Sequence, residues 1–165
     1  MFVSEALGES HVLDDFDSGA ESLDRWLKET ARNADKKRQS RTFVWCEDGR
    51  TVIGYFTLAP HVIQRAELSA KVGRGDLNEI PAILLARLAL HVKHQGEGLG
   101  VELLVDALRR AVVASDQVGG RYVVVDALDE RAGLFYERYG FVRCVGDAVL
   151  RYTRKVSDIA LSLEV

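Results

Sequence analysis

Gly96, Gly98 and Gly100 stand in a turn between an apolar strand that ends near Val92 and an amphipathic helix that begins near Gly98. A helix N-terminus presents backbone N–H groups that no carbonyl within the helix accepts, and the helix dipole adds partial positive charge there. With glycine in the turn no side chain covers those amides, so a phosphate can come close to them. Two phosphate motifs do not fit. The dinucleotide pattern G-x-G-x-x-G needs glycine at 101, where Val101 stands, and the P-loop needs Gly-Lys followed by Ser or Thr, which the turn lacks. What the turn holds is Gln95-x-x-Gly98-x-Gly100.

Other residue types able to do chemistry are sparse. Cys46 and Cys144 lie in strand-like runs with no redox or metal spacing and read as buried thiols. The four histidines, at 11, 61, 91 and 94, form no i, i+4 pair, so no metal site is expected. His91 and His94 lie near the turn and could take a proton, although solvated histidines at a strand end are the commoner case. Tyr136 and Tyr139 share one short helix, where a tyrosine is ordinarily a core residue. Lys36, Lys37, Arg38 and Arg41 make a basic run that is either a solvated helix end or a patch for phosphates. Arg74 sits in a second segment rich in charge and glycine.

These residues need a scaffold to hold them. The chain has 165 residues, 47% apolar and 28% charged, with a net charge of −3. That fits a single domain over residues 1–165 with one core, and no global basic character marks a nucleic-acid binder. No apolar run approaches the ~20 residues of a membrane span, and the acidic N-terminus has no basic signal region. A cytoplasmic location without a membrane partner is expected.

Along the chain, residues 2–13 read as a strand and loop, and Ser18 with Glu21 reads as a capping box. Leu23, Trp26, Leu27, Thr30, Ala31 and Ala34 then repeat at helical spacing, with Trp26 as a core anchor. Thr42–Cys46 and Thr51–Leu58 form a hairpin about Asp48-Gly49. Residues 61–80 lack a period and read as a functional loop or a mobile excursion. Pro81 introduces a central strand over Ala82–Val92, and the helix after the turn runs to about Ser115. Tyr122–Ala127 is a strand buried on both faces, Asp129 caps a helix that stops at Gly140, and a last hairpin crosses Gly146-Asp147. The tail from Lys155 has no assignment. The sum is an α/β domain with a mixed sheet in three layers.

The turn Gln95-x-x-Gly98-x-Gly100 resembles the Q/R-x-x-G-x-G/A pyrophosphate loop of the GNAT acetyltransferases. Residues 126–141 resemble that family's second signature, A-x-x-F-Y-x-x-x-G-F, with Ala132, Phe135, Tyr136, Gly140 and Phe141 in register. Three further pieces resemble the GNAT toxins of bacterial toxin–antitoxin pairs. They are Asp15–Gly19 with Leu23 and Trp26-Leu27, then Ser40–Val44, then Leu84–Ala89. An overall acidic charge departs from that subfamily, as does Asp129, which stands where an asparagine is common.

The resemblance implies the GNAT fold and transfer of acetyl from acetyl-CoA to a primary amine. In the toxins that amine is the α-amino group of an aminoacyl-tRNA, translation stops, and a small ribbon-helix-helix antitoxin neutralises the enzyme. Dimers are common among them. By resemblance, Gln95, Gly96, Glu97, Gly98, Leu99 and Gly100 hold the pyrophosphate. Leu88, Ala89, Leu90 and Val92 pair with the pantetheine arm, with the Leu90 N–H on the thioester carbonyl. Tyr136 is the general acid, and Asp129 joins the acetyl-CoA site. Lys36, Lys37, Arg38, Arg41 and Arg74 are the candidate tRNA contacts. The alternatives are a GNAT enzyme acting on a small amine, an antibiotic or a protein N-terminus, and a non-catalytic acetyl-CoA-binding module, against which Tyr136 speaks.

Overall fold

The computed structural model describes residues 2–146 and 150–164. Among the described residues seven strands and five α-helices follow one another, and the strands hydrogen-bond in the order β1-β2-β3-β4-β5-β7-β6. Their ranges are β1 Glu5–Ala6, β2 Arg41–Cys46, β3 Val52–Gln64, β4 Glu79–Leu90, β5 Tyr122–Asp126, β6 Val142–Arg143 and β7 Arg151–Lys155. The helices are α1 Glu21–Glu29, α2 Ala31–Lys36, α3 Leu99–Val118, α4 Glu130–Arg138 and α5 Val156–Leu163. β4 and β5 run parallel and the other registered pairs antiparallel, which makes the mixed α/β sheet expected from the pattern. The chain divides into two compact units, Met1–Ala59 with Ala86–Ala107, and Pro60–Leu85 with Leu108–Val165.

In the first unit the hairpin forms where the Asp-Gly pair predicts it. Asp48 Oδ1 accepts the N–H groups of Arg50 and Thr51, and Oδ2 accepts the Thr51 hydroxyl at 3.0 Å, which fixes the turn and sets Val44 opposite Tyr55. The apolar stripe of α1 and α2 packs on one sheet face, where Leu27, Ala31, Val44, Val52, Tyr55 and Ala89 form one buried cluster. Each such side chain contributes about 1.5–3 kcal/mol when it leaves water fully. On the other face Leu90 and Leu103 close over Gly54, so helices cover these strands on both sides.

The helix start differs from expectation. Ala20, not Ser18, is the N-cap of α1, because Gly19, at φ +89°, turns the chain between Ser18 and the helix. The Ser18 hydroxyl donates instead to Asp24 Oδ1 at 2.6 Å. The apolar stripe is also split. Thr30, at φ −122° and ψ −34°, ends α1 and caps α2.

In the second unit Tyr122, Val123, Val124 and Val125 are all buried, as a strand covered on both faces requires. Residues Ala82–Leu85 of β4 pair with Tyr122–Val125. The excursion expected over 61–80 is largely ordered structure. β3 continues through Pro60 to Gln64, a 3-10 turn follows at Arg65–Glu67, and β4 starts at Glu79 rather than Ala82. The Arg65 N–H donates to the Asn78 carbonyl at 2.8 Å and closes the excursion at its base. Its inner residue Asp76 is only 7% exposed. That carboxylate accepts the Tyr122 hydroxyl at 2.6 Å and an ionic hydrogen bond from the Arg121 guanidinium. No hydrophobic period announces such a tether, because one buried carboxylate makes it. The tail without assignment is α5, which buries Val156 and Ile159. Part of the expected last turn, residues 147–149, lies outside the described residues. Among the described residues no helix is long and apolar enough to cross a membrane.

Candidate active site

The glycine turn has the geometry its composition implies. Gly96 and Gly98 hold φ at +84° and +82°, a region that costs other L-residues roughly 1–2 kcal/mol. No atom lies within 4 Å of where a Cβ at Gly96, Gly98 or Gly100 would sit. Gln95, Gly96, Glu97 and Gly98 are exposed, while Leu99 and Gly100 open α3 half-buried. The Gln95 side chain ties the turn down rather than reaching outward. Its amide donates to the Leu90 carbonyl at 2.7 Å and to the Ser18 carbonyl at 2.9 Å. The result is a helix N-terminus with bare amides on a fixed base.

The end of β4 faces two ways. The His91 N–H donates to the Ile53 carbonyl at 2.7 Å, on the β3 side. Successive residues of an extended chain aim their amides at opposite edges, so the Leu90 N–H points away from β3. Leu88 is half-buried, and Ala89 and Leu90 are buried. Val92 corrects the expected strand span. β4 stops at Leu90, Val92 opens a 3-10 turn, and its N–H donates to the Asp17 carbonyl at 2.8 Å. Its amide is therefore spent and offers no pairing to a ligand.

In the second unit Asp129 caps α4 as expected, with Oδ1 accepting the Ala132 N–H at 2.8 Å. The carboxylate oxygen that serves as cap also neutralises the positive end of that helix. The helix sits close on β7. A Cβ at Gly133 would meet the Tyr152 hydroxyl at 2.2 Å, so only glycine fits there. Tyr136 is 7% exposed and edge-packed by Phe135 and Phe141, with ring centroids 5.3 Å and 5.7 Å away. Its hydroxyl makes no hydrogen bond among the described residues, and desolvation pushes the phenol well above its ordinary pKa. The oxygen is not among the buried polar atoms without a partner, so it keeps access to solvent while the ring is buried, and a donor left open in this way is available to something that arrives.

Lys36, Lys37, Arg38 and Arg41 are exposed at the end of α2 and the start of β2, a segment of the first unit. Arg38 has φ +58°, and Arg41 donates to the Asp35 carbonyl at 2.8 Å. Arg74 is exposed in the excursion of the second unit. The histidines near the turn are engaged. His91 Nδ1 accepts the Lys93 N–H at 3.1 Å, which leaves its proton on Nε2 to meet the Asp15 carbonyl at 3.1 Å. His94 lies 3.6 Å from Glu47.

Glu5, His11 and Cys46 bring their donor atoms within 4.8 Å of one another. His11 Nδ1 already accepts the Gly8 N–H at 2.9 Å, so Nε2 carries the proton and gives it to Glu5 at 2.7 Å. A metal would need that nitrogen bare. Burial and the nearby Glu5 and Asp48 carboxylates also push the Cys46 thiol up to about 11, away from the thiolate a metal takes.

Two groups had no role from the sequence. Arg151 forks onto both Asp126 oxygens at 2.8 and 3.0 Å and also reaches Glu67 at 2.9 Å. Arg87, the one charge in the apolar core of β4, lies over Trp26 with its guanidinium carbon 4.0 Å from the ring centroid. A cation inside an otherwise apolar strand was the signal available for Arg87.

The sequence profile described as the acetyltransferase (GNAT) domain matches residues 38–143. A tRNA-acetylating toxin of Mycobacterium tuberculosis is 42% identical over 126 residues, covering 76% of this chain and 75% of the relative. Among solved structures, AtaT complexed with acetyl-methionyl-tRNAfMet superposes with a TM-score of 0.89 at 29% identity, over 98% of this chain and 99% of the other. A mutant AtaT bound to the C-terminus of the antitoxin AtaR and acetyl-CoA superposes with a TM-score of 0.84 at 28% identity, over 100% and 99%. Two signatures in order, a bare helix N-terminus, an unpartnered buried tyrosine and these likenesses lead to one conclusion: the chain belongs to the GNAT acetyltransferase family, on the branch that holds the tRNA-acetylating toxins.

Proposed function

We propose that this enzyme moves the acetyl group of acetyl-CoA onto the α-amino group of an aminoacyl-tRNA, and that it acts as a translation-blocking toxin held in check by a ribbon-helix-helix antitoxin. The observation that carries the reading is the turn at 95–100, whose left-handed glycines leave backbone amides bare at the N-terminus of a 20-residue helix. In this reading the residues 1–165 form one GNAT domain working in the cytoplasm.

The amides of Gly96 to Gly100 hold the pyrophosphate, and the α3 dipole adds to the attraction. Leu88 to Leu90 offer a strand edge to the pantetheine arm, and the Leu90 N–H polarises the thioester carbonyl as negative charge builds on its oxygen. An α-amino group has an ordinary pKa of ~7.7–8.0, so a useful fraction is neutral near pH 7 without a dedicated base. The amine attacks the carbonyl carbon, the C–N bond forms, and the C–S bond breaks. The Tyr136 hydroxyl gives its proton to the departing sulfur and recovers one from the ammonium through solvent. Lys36, Lys37, Arg38, Arg41 and Arg74 are proposed to meet the RNA backbone.

The test is transfer of labelled acetyl from acetyl-CoA to total charged tRNA, with deacylated tRNA alongside. Label on charged tRNA alone, falling steeply with added salt, is expected. Label on neither, with acetyl-CoA still bound, would replace this reading with acetylation of a small amine, an antibiotic or a protein N-terminus.

A further inference from the structure

Arg87 stands on β4 two residues beyond Leu85, the last β4 residue in register with β5. Its guanidinium lies 4.0 Å over the Trp26 ring. Trp26 in turn stacks on Tyr55, with centroids 6.3 Å apart and planes 12° from parallel. The Tyr55 hydroxyl is anchored on the Leu23 carbonyl at 2.7 Å, and Phe16 meets the Tyr55 ring edge-on at 5.6 Å. The stack fixes the arginine in place. Among the described residues Arg87 has neither a carboxylate partner nor a hydrogen bond, and half-burial weakens its hold on its proton. None of its nitrogens is among the buried polar atoms without a partner, so their N–H edge reaches solvent. A planar cation held by one face, with up to five donors turned outward, is built to receive an oxyanion.

The face of the strand says which anion. Ala89, on the same face as Arg87, packs with Leu27 and Ala31 under α1 and α2. Leu90 and Leu103 close over Gly54 on the opposite face, the one covered by α3, whose N-terminal turn is the proposed pyrophosphate site. Arg87 is therefore turned away from acetyl-CoA. The other phosphate in the proposed reaction belongs to the RNA acceptor. Its aminoacyl ester sits on the terminal ribose, and the 5′ phosphate of that same nucleotide is the charge nearest the amine.

We infer that Arg87, laid on Trp26, binds the 5′ phosphate of the aminoacylated terminal nucleotide and so selects RNA-borne amines over free ones. This rests on the aminoacyl-tRNA reading above. A charge-assisted fork of this kind is expected to give the wild-type enzyme about a 30-fold preference, ~2 kcal/mol, for an acceptor that carries the phosphate.

Two acceptors isolate the contact: the 3′-aminoacyl ester of adenosine, and the same ester of adenosine 5′-monophosphate. The readout is the ratio of their kcat/KM values, which does not depend on how much of a variant is folded. In Arg87→Met the ratio is expected to fall about 30-fold, to near one. In Arg87→Lys, which keeps the charge but loses the planar fork, an intermediate ratio is expected. Charged tRNA is assayed with the wild-type enzyme in the same experiment. Label on charged tRNA with an unchanged ratio in both variants overturns the inference and leaves the reaction standing. No label on charged tRNA removes the reaction, and the inference with it.

Discussion

Among the described residues two places hold an arginine against an aromatic ring, and they differ in what else the cation touches. Under the excursion of the second unit, Arg121 lies 5.8 Å from the Tyr122 ring centroid and is closed by Asp76, which also takes the Tyr122 hydroxyl. Burial and that carboxylate push the Tyr122 phenol up to about 12, and the partners hold every charge in place. On β4 of the first unit, Arg87 lies on Trp26 and is closed by nothing among the described residues. Two tyrosines of the second unit repeat the contrast, since the Tyr122 hydroxyl is bonded and that of Tyr136, among the described residues, is not. Polar groups that complete one another hold a fold together, whereas groups the fold leaves incomplete are available to a substrate.

The largest effect expected from this contrast is on stability at the closed site. Asp76→Ala removes the acceptor of two ionic or buried bonds, and a loss of about 3 kcal/mol in denaturant unfolding is expected. The open site should respond in rate instead. Tyr136→Phe is expected to slow acetyl transfer about 100-fold or more while unfolding at the same denaturant concentration as the wild type, because no bond is lost. A stability loss at Tyr136 matching that at Asp76 would break the comparison.

The smallest effect is in pH dependence. His61 Nε2 is buried with no partner among the described residues, and desolvation and the Arg151 guanidinium lower the imidazole pKa against the weaker pull of Asp126 and Glu67. The unfolded chain then binds the proton more readily than the folded one. Stability from this group is full above the unfolded pKa of ~6.5 and is lost as pH falls below it. His61→Gln should accordingly lose less stability than the wild type between pH 7 and pH 5. Equal losses would remove His61 from the balance.

Much of this was written in one dimension. The Asp-Gly pair placed the β2–β3 hairpin, the run Tyr122–Val125 announced a doubly covered strand, and Asp129 and Gly140 marked both ends of α4. The turn at 95–100 was legible because glycine spacing is a local backbone requirement. Helix starts and strand ends were less so. Ser18 turned to Asp24 because Gly19 redirects the chain before the helix, and β4 stopped two residues short of Val92 because the Val92 N–H is taken by the Asp17 carbonyl, distant in sequence. The order of segment 61–80 was invisible because it hangs on Asp76 meeting Arg121 and Tyr122 across 45 and 46 residues.

The sequence by itself determined the family and the glycine turn, and it singled out Tyr136 as the proposed proton donor, because each rests on residue types at short fixed spacing. Only the tertiary structure decided which polar groups stay unsatisfied. Arg87 and Arg121 are the same residue type on strand-like segments, and what separates them, among the described residues, is a carboxylate that the fold brings to Arg121 and not to Arg87.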